Sequence, residues 1–190
     1  IPKTHIPTGD VRTSGSTGEP LTVRRTSISQ LMWMAHSIRD HLWHRRDFAA
    51  RLATIRPNVP AVTRLDDWGP PANLLFRTGA GLGLPISVAP DKQAAELRAF
   101  RPGGLLTYPN NLGLLMDALA ERGGPWPEMR HVRTISETVS PQLRKRVKSF
   151  FGLEIEDSYS AQEAGIIAIQ CPDCGQYHVM AETLIVEVVD

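Results

Sequence analysis

Apolar and polar positions alternate along this chain with two periods. In the segment that opens at Ser27, Ile28, Leu31, Ala35, Ile38 and Leu42 follow one another at steps of three and four. That spacing is one stripe of an α-helix. Ser27 and Gln30 supply an S-x-x-Q capping box at its start. Arg45-Arg46 closes it, where cations complement the helix dipole. The first twenty residues are rich in Gly, Ser, Thr and Pro and read as loop, with 22–25 a short strand after them. Beyond the helix the pattern predicts strands over 50–55, 85–89, 104–108, 131–135, 154–157 and 166–170. Residues 177–182 and 184–189 read as a closing β-hairpin. Helices are expected between strands: one capped by Asp91 and running to 100, and one capped by Asn110 or Asn111 and ending at Gly123-Gly124. A third starts with Ser140 as N-cap and Pro141 as first residue and runs to 151, with Gly152 after it. Residues 58–71 form an irregular, proline-rich connection. Strands separated by helices predict an α/β fold, mainly a parallel sheet with flanking helices and a hairpin near the C-terminus. In such sheets ligands bind beyond the C-terminal strand ends.

Composition narrows the function classes. The 190 residues carry 21 Lys+Arg against 20 Asp+Glu, a formal net charge of +1. A protein that binds nucleic acid through its backbone needs a basic surplus, which is absent here. No apolar run reaches the length of about 18 residues that a membrane span needs. The first residues also lack the apolar core of a signal peptide. The two cysteines give no disulfide framework, so a reducing, cytoplasmic setting is expected.

The strongest chemical signal is Thr13-Ser14-Gly15-Ser16-Thr17-Gly18, followed by Glu19-Pro20. Four hydroxyls and two glycines stand within six residues. Glycine lets backbone approach a ligand closely, and hydroxyls with freed N–H groups can surround phosphate oxygens. The G-x-x-x-x-G-K-[ST] pattern is absent, so this is not a Walker A loop. By composition alone, a flexible Ser/Gly loop is the competing reading.

The order T-S-G-S-T-G-x-P resembles the phosphate loop of the adenylate-forming superfamily: acyl-CoA synthetases, luciferases and peptide-synthetase adenylation domains. Asp157-Ser158-Tyr159-Ser160-Ala161-Gln162-Glu163 is similar to that family's Y-G-x-T-E segment, with Ser160 for Gly and Gln162 for Thr. Ser136-Glu137-Thr138 resembles its G-A-E-like segment, before the tyrosine segment as in the family. Leu21, Thr107-Tyr108-Pro109 and the ending from Tyr177 to Asp190 look most like the phenylacetate–CoA ligase branch.

The resemblance implies a two-step ligase. A carboxylic acid, an aryl acid such as phenylacetate by default, reacts with ATP to an acyl-adenylate, and a thiol, coenzyme A, then takes the acyl group. It implies a nucleotide site made of Thr13, Ser14, Gly15, Ser16, Thr17, Gly18, Ser136, Glu137, Asp157, Tyr159 and Ser160. Within it Tyr159 packs on adenine and Asp157 bonds its amino group. Thr17 and Glu163 take the catalytic roles, and Glu163 helps hold Mg²⁺ beside the phosphates. A hard cation suits a carboxylate plus phosphate oxygens. The family's N-terminal portion, ribose-binding aspartate and lysine-bearing small domain have no counterpart here. Residues 1–190 therefore read as the central nucleotide-binding portion of a larger N-terminal domain, expected to be inactive alone. A homodimer is compatible with this reading. Two alternatives stay open: an adenylation enzyme that loads a carrier protein, and a degenerate nucleotide-binding module that is not an enzyme.

Cys171, Cys174 and His178 form a C-x2-C-x3-H pattern, whose soft donors suit a structural Zn²⁺. Only three ligands are local; Glu182, His131 or water are candidates for a fourth. A pair of reduced cysteines in a turn is the competing reading. Redox chemistry is a weaker one, because a redox C-x-x-C normally opens a helix. The basic run Arg144-Lys145-Arg146 with Lys148 reads as a solvated helix face. Met32, Trp33, Met34 and Trp43 read as packing or interface residues. Gly79-Ala80-Gly81-Leu82-Gly83 reads as a loop near the substrate pocket.

Overall fold

The structure, a computed structural model, describes residues 4–12 and 22–188. In chain order its elements are β1 (Pro7–Arg12), β2 (Thr22–Thr26), α1 (Ser27–Trp43), β3 (Leu52–Arg56), β4 (Thr63–Leu65), a short 3-10 turn (Ala72–Leu74) and β5 (Gly81–Pro85). They continue as α2 (Pro90–Phe100), β6 (Gly104–Thr107), α3 (Pro109–Ala120), β7 (His131–Ile135), α4 (Pro141–Phe151), β8 (Ile155–Ala161), β9 (Gly165–Gln170) and β10 (Tyr177–Val179). The chain forms two compact units, residues 45–157 and residues 1–44 with 158–190.

The unit of residues 45–157 is the expected α/β sheet. Its strands run in the order β8-β7-β6-β3-β5-β4, counting the first residues of β8. β3 pairs parallel with β5 and β6, β6 pairs parallel with β7, and β4 closes the edge antiparallel to β5. All five residues of β5 and all four of β6 are buried. Strands covered on both faces read as unbroken apolar runs rather than alternating ones. Ile55, Leu84, Leu97, Leu105, Leu112, Leu115, Leu119 and Val132 are fully buried at the centre of this core. At about 25 cal/mol per Å² of apolar surface, each such side chain contributes roughly 1.5–3 kcal/mol.

Residues 81–83, expected in a loop, lie instead inside β5. The glycines are there for close packing. A Cβ at Gly79 would sit 2.4 Å from the carbonyl oxygens of Ala49 and Ala50, and one at Gly81 would sit 2.6 Å from that of Asp67. The strand expected over 85–89 is accordingly four residues too late at its start. The connection 58–71 contains β4.

Helix starts follow proline rather than the polar candidates. Pro90 and Pro109 occupy the first turns of α2 and α3, so Ala89 and Tyr108 become the caps. Asn111 thereby falls three residues inside α3 and turns into the core. Its Nδ2 donates to Gln93 Oε1 at 2.9 Å and to Thr107 Oγ1 at 3.0 Å. Gln93 Nε2 in turn donates to the Val88 carbonyl at 2.8 Å. α4 matches expectation: Ser140 accepts from the Leu143 N–H, and Gly152 ends the helix in the left-handed region at φ 72°. Its basic run is a solvated face with partners. Lys148 meets Glu154 at 3.0 Å, and Arg146 pairs with Asp117.

In the other unit, β1 pairs antiparallel with β2, so residues 7–12 are strand and not loop. The capping box of α1 sits one residue earlier than the sequence indicates. Thr26 accepts from the Ser29 N–H, and Ser29 Oγ accepts from the Thr26 N–H. The expected apolar stripe of α1 points mostly outward: Ile28, Leu31 and Leu42 are 43%, 58% and 51% exposed. The buried residues are His36, Ile38, Asp40 and His41, with the cap His44. Pairing offsets the burial of Asp40 and His44, since a buried polar group costs little only when bonded. His44 Nδ1 lies 3.0 Å from Asp40 Oδ1. Burial holds the His36 imidazole below its ordinary pKa.

β9 pairs antiparallel with β8 and with β10. The closing hairpin is therefore β9–β10. Residues 184–188 are not a strand, which corrects the expected partner at 184–189. No helix among the described residues is long and apolar enough to cross a membrane.

Candidate functional site

The tyrosine segment falls on β8 and the turn after it. Tyr159 opposes Ala168 and Ala161 opposes Gly165, so residues 162–164 form a three-residue hairpin loop. Gly165 closes the loop at φ 76°, the left-handed position such loops need. Tyr159 is 61% exposed, a large aromatic ring standing free of the core. Ser160 is half-buried beside a register irregularity between Tyr159 and Ser160. Gln162 Oε1 accepts from Arg25 Nη2 at 3.1 Å, which ties the loop to the end of β2. Glu163 is exposed at the tip. Its carboxylate fits Mg²⁺ chemically, because Mg²⁺ is commonly held by one or two carboxylates plus substrate phosphates. Among the described residues Glu163 belongs to no group of three or more His, Cys, Asp or Glu side chains with converging ligand atoms.

Within the α/β unit, Asp157 is buried and its Oδ1 accepts from Thr134 Oγ1 at 2.8 Å. Arg144 Nη2 stands 3.9 Å from the other carboxylate oxygen. Asp157 is thus oriented from β7 and α4, and sequence reasoning missed both partners. Ser136 and Glu137 follow directly after β7, both exposed. Glu137 Oε2 accepts from the Asn110 N–H at 2.9 Å, a carboxylate at the N-terminus of α3 where the helix dipole favours it.

Ser136 adopts φ 66°, a left-handed conformation. For a residue with a Cβ this costs about 1–2 kcal/mol, against which glycine loses about 0.5–1 kcal/mol of chain entropy. Ser136→Gly is therefore expected to stabilise the protein by up to about 1 kcal/mol. Denaturant unfolding checks this, and any loss of stability counts against the strain.

Residues 13–18, the hydroxyl loop including Thr13, Ser14, Gly15, Ser16, Thr17 and Gly18, lie outside the described residues.

Cys171, Cys174 and His178 come together. Their ligand atoms all lie within 4.8 Å of one another. The Cys171 thiol is held below its ordinary pKa, first by the backbone N–H of Cys174 and then by that of Asp173. Glu182 is taken up elsewhere: it pairs with Arg39, and His36 Nε2 stands 3.7 Å away. His131 Nδ1 lies 2.6 Å from Glu156 Oε1. Neither of these candidate fourth ligands joins the cysteine cluster.

No family model matches the chain, and no curated protein does. Solved structures do match. The luciferase-like enzyme of the nonluminescent mealworm Zophobas morio is 15% identical with a TM-score of 0.59, over 86% of this chain and 36% of that one. The 2-hydroxyisobutyryl-CoA ligase, in an open conformation with 2-HIB-AMP and CoA, is 14% identical with a TM-score of 0.64, over 92% of this chain and 41% of that one. The amide bond synthetase of Marinactinospora thermotolerans is 21% identical with a TM-score of 0.60, over 86% and 31%. The chain spans less than half the length of each. At such identities the likeness is one of fold, and the α/β architecture of this chain is the one found in these acyl-CoA ligase, luciferase-like and amide-synthetase structures.

Proposed function

We propose that these residues are the central nucleotide-binding portion of an AMP-forming acid–thiol ligase of the phenylacetate–CoA ligase-like branch. The acid's carboxylate oxygen forms a bond to the α-phosphorus of ATP, the bond from that phosphorus to the bridging oxygen breaks, and pyrophosphate leaves. A thiolate, that of coenzyme A, then attacks the acyl carbonyl and AMP departs. An aryl acid is the proposed substrate class.

The observation that carries this reading is the tyrosine segment on β8 and its turn, in a fold shared with enzymes of this kind. The exposed Tyr159 ring offers a face on which adenine can stack. Thr134 holds the Asp157 carboxylate in place to accept from an exocyclic amino group. Glu163, at the loop tip, would hold Mg²⁺, which neutralises phosphate charge when bound. Thr13 to Gly18 would surround the β- and γ-phosphates with hydroxyls and N–H groups. Catalysis in this scheme rests on positioning and on preorganised charge.

The test is acid-dependent ATP–pyrophosphate exchange by the complete protein carrying these residues, with a panel of aryl and aliphatic acids. Exchange with at least one acid is expected, and coenzyme A should then discharge the adenylate. Discharge by a carrier-protein thiol alone would move the acceptor to that class. A folded protein silent with every acid would favour a nucleotide-binding module without activity. Stacking on an aromatic ring is worth about 1–3 kcal/mol per base. Tyr159→Ala is therefore expected to raise the KM for ATP about tenfold with the melting temperature unchanged.

A further inference from the structure

The β9–β10 turn carries a cluster that nucleotide chemistry leaves unused. β9 ends at Gln170, Cys171 to Gln176 make the connection, and β10 returns with Tyr177 opposite Gln170 and His178 opposite Ile169. The turn is closed by backbone. The Gly175 N–H donates to the Cys171 carbonyl at 2.9 Å, with Gly175 in the left-handed region at φ 73°. The Cys171 N–H donates to the Gln176 carbonyl at 2.7 Å. Gln170 Nε2 donates to the Gly175 carbonyl at 2.9 Å. This folding brings both sulfurs to one side, and the register of β10 brings the imidazole to them.

We propose that Cys171 Sγ, Cys174 Sγ and His178 Nε2 hold a zinc ion that clips the β9–β10 hairpin, with the fourth position open to water. Zinc binds sulfur at about 2.3 Å and imidazole nitrogen at about 2.0–2.1 Å in tetrahedral geometry, which sets a sulfur–nitrogen edge of about 3.6 Å. Cys174 Sγ and His178 Nε2 stand 4.0 Å apart. A contraction of a few tenths of an ångström, at exposed side chains, completes that edge. Both cysteines are free thiols. Trp43 packs edge-on against His178 with ring centroids 5.6 Å apart, fixing the imidazole plane from α1.

The local energetics call for such a clip. β10 has three residues, all exposed. A short strand that buries so little apolar surface is marginal by itself. Metal ligation supplies the missing free energy, because the site assembles only when the hairpin is formed. The open fourth position follows from the cluster itself, which contains three ligands among the described residues.

The experiment is metal analysis of the complete protein purified without chelator, alongside thiol titration. About one equivalent of zinc is expected, with a dissociation constant of about 1 µM or tighter by competition with a chromophoric chelator. Cobalt substitution should give a tetrahedral ligand-field spectrum with thiolate charge-transfer bands. Cys174→Ser and His178→Ala should each lower zinc retention at least tenfold. Should either variant fail to fold, stripping the unmodified protein with chelator and titrating zinc back, with circular dichroism followed throughout, decides the matter. Less than half an equivalent of zinc on folded protein with two reactive thiols would overturn the proposal. So would a Cys171–Cys174 disulfide that, once reduced, still takes up no zinc.

Discussion

Replacing Glu163 with glutamine is expected to lower acid-dependent ATP–pyrophosphate exchange by about 100-fold. The substitution keeps the shape of the side chain and removes its charge. Glu163 is exposed at the tip of a hairpin loop and carries no ion pair among the described residues, so the fold should hardly register the change. Surface substitutions of this kind usually alter stability by less than about 0.5 kcal/mol. The proposed role is different in kind. A carboxylate that helps hold Mg²⁺ against phosphate oxygens acts where charge is greatest, and removing one preorganised electrostatic partner typically costs about 100- to 1,000-fold in rate. Raising Mg²⁺ should restore part of the activity, because the amide weakens metal affinity without closing the site. An exchange rate within about threefold of the unmodified protein, at every Mg²⁺ concentration, would remove Glu163 from the metal's surroundings.

Arg46→Leu is expected to be the most destabilising single change, at about 3–5 kcal/mol. The Arg46 side chain is 3% exposed, and its Nε and Nη2 donate to Glu156 Oε2 at 2.9 and 2.5 Å. His131 Nδ1 lies 2.6 Å from the other carboxylate oxygen of Glu156. Truncating the arginine strips a largely buried carboxylate of its strongest donor, and breaking a buried pair from one side costs about 3–5 kcal/mol. In a protein of this size each kcal/mol lowers the melting temperature by about 2–4 °C, so a fall of about 10 °C is expected. The paired variant Arg46→Leu with Glu156→Leu should recover much of that loss, since replacing both partners removes the desolvated charge altogether. A single variant that loses less than about 1 kcal/mol would show that the network is solvated in solution. The outcome bears on the site as well, because Glu156 immediately precedes Asp157 on β8.

What the residues disclose unaided is strongest where local rules and packing agree. α4 is legible to the residue, because Ser140, Pro141 and Gly152 each favour one conformation at one helix position. β7 is equally clear from its β-branched content. The reading of α1 shows the opposite case. Its spacing identifies the helix, but the face it buries is the polar one, with Asp40 and His44 paired inside and Leu31 and Leu42 outside. Periodicity reports that a helix has two faces; what lies against each face decides which is covered. β5 was missed for a related reason. Three closely spaced glycines read as loop, yet Gly79 and Gly81 meet neighbouring carbonyl oxygens at distances that exclude a side chain.

The candidate sites divide in the same way. Short-range chemistry is written in the sequence: the C-x2-C-x3-H spacing becomes a cluster because one turn and three residues of strand bring it together. The tyrosine segment is likewise a local object, one strand end and one hairpin loop. The sequence by itself determined the α/β class, the four helices among the described residues with the strands that alternate with them, and the residues proposed to meet phosphate, adenine and metal. Tertiary structure alone decided that Thr134 and Arg144 orient Asp157, that Glu137 caps α3, that Glu182 goes to Arg39 and His36, and that Ser136 sits at positive φ. These are contacts between elements far apart in the chain. Local propensity fixes each element's conformation over a few residues, whereas which surfaces meet is settled by burying the whole core at once.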